Sequence, residues 1–177
     1  MVCVVGLGAI GREVARKVRA FDGRVIAVSR AGTPGGDIAQ VFARERIGEA
    51  LAMADAVVIC TSSDPRSFHL IDAAALAAMR PEAFLVNVAR GDIVDGAALV
   101  ATLQAGRLAG AALDVTEIEP LPPDSPLWDL PNLIITPHIA GGGLSGYAQQ
   151  QALFGKNLLR FAAGESLLNV CRMAAVT

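Results

Sequence analysis

The chain has 177 residues, 53% of them hydrophobic and 18% charged, with a formal net charge of −2. That length suits one well-buried domain, scattered arginines at near-neutral charge argue against a nucleic-acid surface, and no apolar run approaches the roughly 20 residues of a membrane span. Met1-Val2-Cys3 runs straight into a strand pattern with no basic region ahead of it, so no signal peptide is expected, and the three widely spaced cysteines Cys3, Cys60 and Cys171 read as reduced thiols of a cytoplasmic protein.

Val2 to Val5 is an apolar, β-branched run that reads as a strand buried on both faces, and the turn Gly6-Leu7-Gly8-Ala9-Ile10-Gly11 follows it. The next helix is amphipathic, with Ile10, Val14, Val18 and Phe21 on one side. Strand, glycine-rich turn and helix in this order outline a dinucleotide site. Gly6 permits the tight turn, Gly8 lets a pyrophosphate approach the backbone, and Gly11 lets the helix pack on the strand. The helix N-terminus, around Ala9 and Ile10, offers unpaired N–H groups and partial positive charge to phosphates.

Arg24 to Val28 is the second strand, and residues 29–36 form a loop by composition. Where an acid would bind the ribose 2′-hydroxyl of NAD, this strand ends in Ser29-Arg30, with no acid before Asp37. A hydroxyl followed by a guanidinium suits a 2′-phosphate, so NADP is favoured over NAD, with Arg30 as a solvated or adenine-stacking residue the alternative. Residues 37–42 hold a short third strand, 43–53 a helix, and Ala56 to Thr61 a buried strand ending in the polar loop Ser62 to Pro65. Ligands bind beyond the carboxyl ends of such strands, which places Thr61 and Ser62 near the cofactor. His69 reads as a partly exposed loop residue.

Asp72 to Met79 is a short helix ended by Pro81, and Phe84 to Val88 is a strand opening onto Ala89-Arg90-Gly91-Asp92. Asp95 is a candidate N-cap for a helix from Gly96 to Ala105, closed by Gly106. Gly110 to Val115 is a further strand that carries Asp114 and leads to Glu117 and Glu119. The proline-rich loop Pro120 to Pro131, the strand Leu133 to Thr136, the segment Pro137 to Gly143 and a helix from Tyr147 to Ala163 complete the chain. Strands alternate with helices throughout, which predicts an α/β fold with a doubly wound parallel sheet. Arg90, Glu119 and His138 all emerge beyond carboxyl ends of strands. With two histidines and no C-x-x-C, no metal site is expected.

Four segments together carry a resemblance: Val5 to Gly11, Leu85 to Asp95, Ala112 to Leu121 and Thr136 to Gly141. They resemble the nucleotide-binding domain of the D-isomer-specific 2-hydroxyacid dehydrogenases. The resemblance implies a Rossmann-type, three-layer α/β/α domain over residues 1–177 and an NAD(P)-dependent oxidoreductase of the glyoxylate or hydroxypyruvate reductase type. It implies that Arg90 holds the substrate carboxylate, that His138 is the acid/base and that Glu119 is its partner. Asp114 matches the partner of the nicotinamide carboxamide, Thr61, Ala89 and Gly141 match residues lining the cofactor, and a homodimer is implied. By this reading Glu117 is a surface carboxylate. The chemistry agrees: reduction of a 2-oxo acid needs a proton from a group near neutral pKa, and a guanidinium suits an anionic substrate.

Members of that family carry a substrate-binding domain before the nucleotide fold, and here Met1 stands directly ahead of the first strand. Two functions are therefore expected as alternatives: a dehydrogenase of small 2-oxo and 2-hydroxy acids represented by its cofactor domain, or a stand-alone NAD(P)-binding module without turnover.

Overall fold

The computed structural model describes residues 1–29 and 38–170. These fall into two compact units, one from Met1 to His138 and one beginning at Ile139. The first unit is a parallel sheet of seven strands among the described residues: β1 (Val2–Val5), β2 (Val25–Val28), β3 (Gln40–Phe42), β4 (Ala56–Ile59), β5 (Phe84–Asn87), β6 (Gly110–Leu113) and β7 (Leu133–Ile135). Their order is β3-β2-β1-β4-β5-β6-β7, so the chain reverses direction across the sheet between β1 and β4. In such sheets a crevice opens at that reversal, beyond the carboxyl ends of the strands.

Burial on both faces explains the unbroken apolar runs. Cys3 and Val5 point with Ile26, Val28, Val57 and Ile59 into the larger core, while Val4 packs with Ala15, Val25, Ala27 and Ile38 on the other side. The smaller core is roofed by α1 (Ala9–Ala20), which buries Gly11 and Ala15. The larger contains Leu51 of α2 (Ile47–Ala52), Leu76 of α3 (Ala73–Ala78) and Leu99 and Leu103 of α4 (Gly96–Gln104). Asp72 and Asp95 cap α3 and α4, accepting from the N–H groups of Ala75 at 2.8 Å and Ala98 at 2.9 Å. The helix expected over 43–53 is divided into a 3₁₀ turn at Arg44–Arg46 and then α2, with Arg46 at φ −106° and ψ 22° between them.

The second unit holds α5 (Leu144–Ala162), three residues longer at its start than its sequence pattern suggests, because the extended Gly143 already serves as the cap. Asn157 ties the segment after it, donating to the Leu168 carbonyl at 3.1 Å and accepting from its N–H at 2.8 Å. No helix of the described residues is long and apolar enough to cross a membrane.

Candidate active site

The glycine-rich turn is built as its spacing requires. Gly6 has φ +101°, and a Cβ there would lie 2.7 Å from the Thr61 backbone. A Cβ on Gly11 would lie 1.9 Å from the Gly6 carbonyl oxygen, so α1 can sit this close to β1 only with glycine. A Cβ on Gly8 would meet nothing within 4 Å and would project into open space. Gly8 also caps α1 without a side-chain bond, leaving the first N–H groups of the helix for a ligand.

That space is a cavity of about 480 Å³, within the usual range for small-molecule sites of roughly 300–1,000 Å³. Gly6, Gly8, Ala9 and Ile10 line it together with Ser29, Thr61 and Ser62. Seven residues named from the sequence thus meet in one cavity, and an anionic diphosphate fits its donors: backbone N–H groups and a helix N-terminus rather than acids. Arg30 lies outside the described residues. Arg44, which the sequence did not single out, borders the same cavity.

The polar residues gather further along the sheet edge. Asn87, fully buried at the end of β5, donates to the Arg90 carbonyl at 2.8 Å and accepts from the Ala89 N–H at 3.0 Å, fixing the turn that presents Arg90. The Arg90 guanidinium donates to the Ala89 carbonyl at 2.6 Å, and among the described residues no carboxylate accepts a hydrogen bond from it. Gly91 lets this turn press on the loop after β6, since a Cβ there would lie 2.0 Å from the Thr116 carbonyl carbon. Arg90 and Glu119 consequently line one cavity of about 340 Å³ with Asp92 and Glu117.

Glu119 Oε2 lies 2.8 Å from His138 Nδ1, and Glu119 Oε1 accepts from the Thr116 N–H at 3.1 Å. The bond with His138, then that from Thr116, holds the Glu119 carboxyl below the usual carboxylate range. An ionised Glu119 requires a proton on His138 Nδ1, which makes Nε2 the nitrogen that does not take part in this bond. His138 reaches this position from β7 with φ +55°, its N–H held by the carbonyls of Asp114 at 2.8 Å and Thr136 at 3.0 Å. Asp114 is nearly buried and accepts from the Thr136 hydroxyl at 2.5 Å. Ala89 is buried behind the Arg90 turn, and Gly141 belongs to the second unit.

Two further pairs went unrecognised in the sequence. His69 Nε2 bonds Glu117, with the His69 ring stacked on Phe68 at 4.0 Å between centroids, and the Ser63 hydroxyl donates to Asp92 Oδ2 at 2.7 Å. His69 is partly exposed, as its sequence reading had it, but it is paired. A larger cavity of about 510 Å³ lies against α4 and the proline-rich loop, lined by Leu99, Val100, Leu113, Leu121 and Leu127. The N-terminus of α4 at Gly96 and Ala97 borders it, but that end is already capped by the Asp95 carboxylate and the acids Glu117 and Asp124 line the same cavity, which disfavours phosphates, so the smaller cavity at the glycine turn is the dinucleotide candidate.

Residues 1–140 match the family model described as the NAD binding domain of D-isomer specific 2-hydroxyacid dehydrogenase. An (S)-sulfolactate dehydrogenase of Chromohalobacter salexigens is 44% identical over 140 residues, covering 78% of this chain and 45% of that protein. A glyoxylate reductase of Thermococcus gammatolerans is 35% identical over 162 residues, covering 92% of this chain and 48% of that protein. A D-isomer specific 2-hydroxyacid dehydrogenase of Xanthobacter autotrophicus, solved in complex with NADPH and MES, superposes with a TM-score of 0.85 at 36% identity, over 97% of this chain and 70% of that one. The chain spans about half the length of the curated relatives it matches.

Proposed function

This chain belongs to the D-isomer specific 2-hydroxyacid dehydrogenase family, and from that premise we propose that it serves an NAD(P)-dependent oxidoreductase that interconverts a small 2-oxo acid and its 2-hydroxy acid. The observation that carries this reading is the bonded pair Glu119 and His138, with Arg90 on the same cavity as Glu119. Gly6, Gly8, Ala9, Ile10 and Gly11 would hold the diphosphate, with Thr61, Ser62 and Ala89 along the rest of the dinucleotide and Asp114 at the carboxamide. Bound nicotinamide would supply or accept the hydride at the substrate's C2.

Arg90 binds the substrate carboxylate and draws electron density toward the carbonyl oxygen, where negative charge develops. His138 Nε2 gives its proton to that oxygen in reduction and takes it back in oxidation. Glu119 holds the ring in the tautomer that directs Nε2 at the substrate and offsets the charge of the imidazolium.

NADP is the cofactor favoured. Ser29, with no acid at the end of β2, supports this, as does the NADPH complex of the Xanthobacter relative. A cytoplasmic homodimer completes the reading, supported by the exposed apolar residues Phe154, Leu159 and Phe161 of α5.

The test is turnover by the purified protein with NADPH and glyoxylate or hydroxypyruvate, beside equilibrium binding of NADPH. Turnover abolished by H138A and by R90A supports the dehydrogenase. Binding of NADPH without oxidation by any 2-oxo acid supports the second reading, a cofactor-binding module.

A further inference from the structure

We propose that Arg44 is a second reader of the adenosine 2′-phosphate, making the NADP preference depend on the strand beside the one where that preference is ordinarily encoded. This rests on the dinucleotide reading above. Arg44 opens the 3₁₀ turn two residues beyond β3, and β3 runs parallel to β2 with Val28 opposite Phe42. The Ser29 N–H donates to the Phe42 carbonyl at 3.0 Å, so the two strand ends are stitched together. Fifteen residues apart in sequence, Ser29 and Arg44 border the same cavity with Gly8.

The guanidinium is poorly satisfied where it lies. Its side chain is only 18% exposed, and Nη1 is buried with no hydrogen-bond acceptor among the described residues. Among the described residues its ion-pair partner is Asp64, at 3.8 Å from Nη1, beyond hydrogen-bond length. A buried guanidinium N–H without an acceptor is unfavourable, and it is relieved by an anion arriving in the cavity. The anion must reach the end of β2, where the ribose 2′ position is read, and must carry acceptor oxygens in a spread that a planar fork can meet. A phosphate monoester at the 2′ carbon meets both conditions, whereas the 2′-hydroxyl of NAD offers neither the charge nor the oxygens. Asp64 then serves as the tether that keeps the guanidinium over the cavity.

The experiment is equilibrium binding of NADPH and of NADH, by fluorescence titration, to the wild-type protein and to R44Q and R44K. A charge-assisted contact of this kind predicts a dissociation constant for NADPH raised about 10- to 100-fold in R44Q. NADH binding should change less than about 3-fold in the same variant, which also shows that the glycine turn is still folded. R44K, which keeps the charge and loses the fork, should recover part of the NADPH affinity. Equal loss for NADPH and NADH would overturn the proposal and assign Arg44 to the shared adenine or diphosphate. Wild-type protein that bound neither dinucleotide would overturn it together with the reading on which it rests.

Discussion

Gly8 separates the demands of the fold from those of the ligand. Its backbone, at φ −75° and ψ −165°, is open to any residue, and a Cβ there meets nothing within 4 Å. Gly8→Ala should therefore cost only the difference between glycine and alanine at a helix N-cap, about 0.5–1 kcal/mol, or roughly 1–4 °C in melting temperature. The added methyl enters the cradle that would receive the diphosphate and holds it off the N–H groups of α1. Loss of one charge-assisted bond, about 1.5–3 kcal/mol, weakens NADPH binding on the order of 10- to 100-fold. Gly11→Ala is the contrasting case: its Cβ would stand 1.9 Å from the Gly6 oxygen and 3.1 Å from Val4 Cγ1, so α1 must move off β1. Overpacking of that kind costs on the order of 1–3 kcal/mol or more, and the melting temperature should fall with the affinity. Differential scanning fluorimetry and NADPH titration of both variants give the answer. A Gly8→Ala protein that melts normally and binds NADPH like the wild type would refute the assignment of this turn to the diphosphate.

Other perturbations test other parts of the structure. Burial pushes the Cys3 thiol from 9.0 up to about 12, so at pH 8 its thiolate fraction is lower by about three orders of magnitude, and iodoacetamide should leave Cys3 unmodified in native protein while labelling it in urea. The same raised pKa contributes stability that is complete below pH 9 and lost as pH rises toward 12, so the melting temperature should fall through that window more steeply in the wild type than in C3A. Asp95→Ala removes the cap on α4 and should lower stability by about 1 kcal/mol, measured by urea denaturation with an unchanged m-value. Glu119 is held below the ordinary carboxylate range by His138, so its contribution is present above the unfolded value of 4.5 and disappears as pH falls through the lower folded value; the difference in melting temperature between wild type and E119Q should close on acidification.

The glycine turn was legible because most of what determines it lies within one short stretch, a buried strand, the φ of Gly6 and the close approach of Gly11, while the Thr61 backbone that presses on Gly6 comes from a distant strand end. Arg90, Glu119 and His138 were legible for another reason, since each follows a strand, and parallel strands bring all their carboxyl ends to one edge whatever the intervening sequence. Arg44, His69 and Ser63 were not. Their partners lie 20, 48 and 29 residues away, and each pairing depends on how a loop turns rather than on the period of the residues in it. The division of residues 43–53 was hidden likewise, because a 3₁₀ turn and an α-helix accept the same charged residues.

The unforeseen pairs bear directly on how the cavity beside Arg90 can receive an anion. Three of the four charged groups lining it are carboxylates, Asp92, Glu117 and Glu119, an arrangement that would ordinarily draw the guanidinium to one of them and repel a negative substrate. Each has a donor of its own instead, Ser63 for Asp92 Oδ2, His69 for Glu117 and His138 for Glu119, although Asp92 Oδ1 is buried without a partner among the described residues. Asn87 fixes the Arg90 turn from below, and the guanidinium's hydrogen bond goes to the neighbouring Ala89 carbonyl and not to an acid. The loop from Ser63 to His69 therefore does for Asp92 and Glu117 what His138 does for Glu119. With both glutamates beside it bonded to histidines, Arg90 makes no carboxylate hydrogen bond among the described residues, which under the proposed function would leave its fork for a substrate carboxylate.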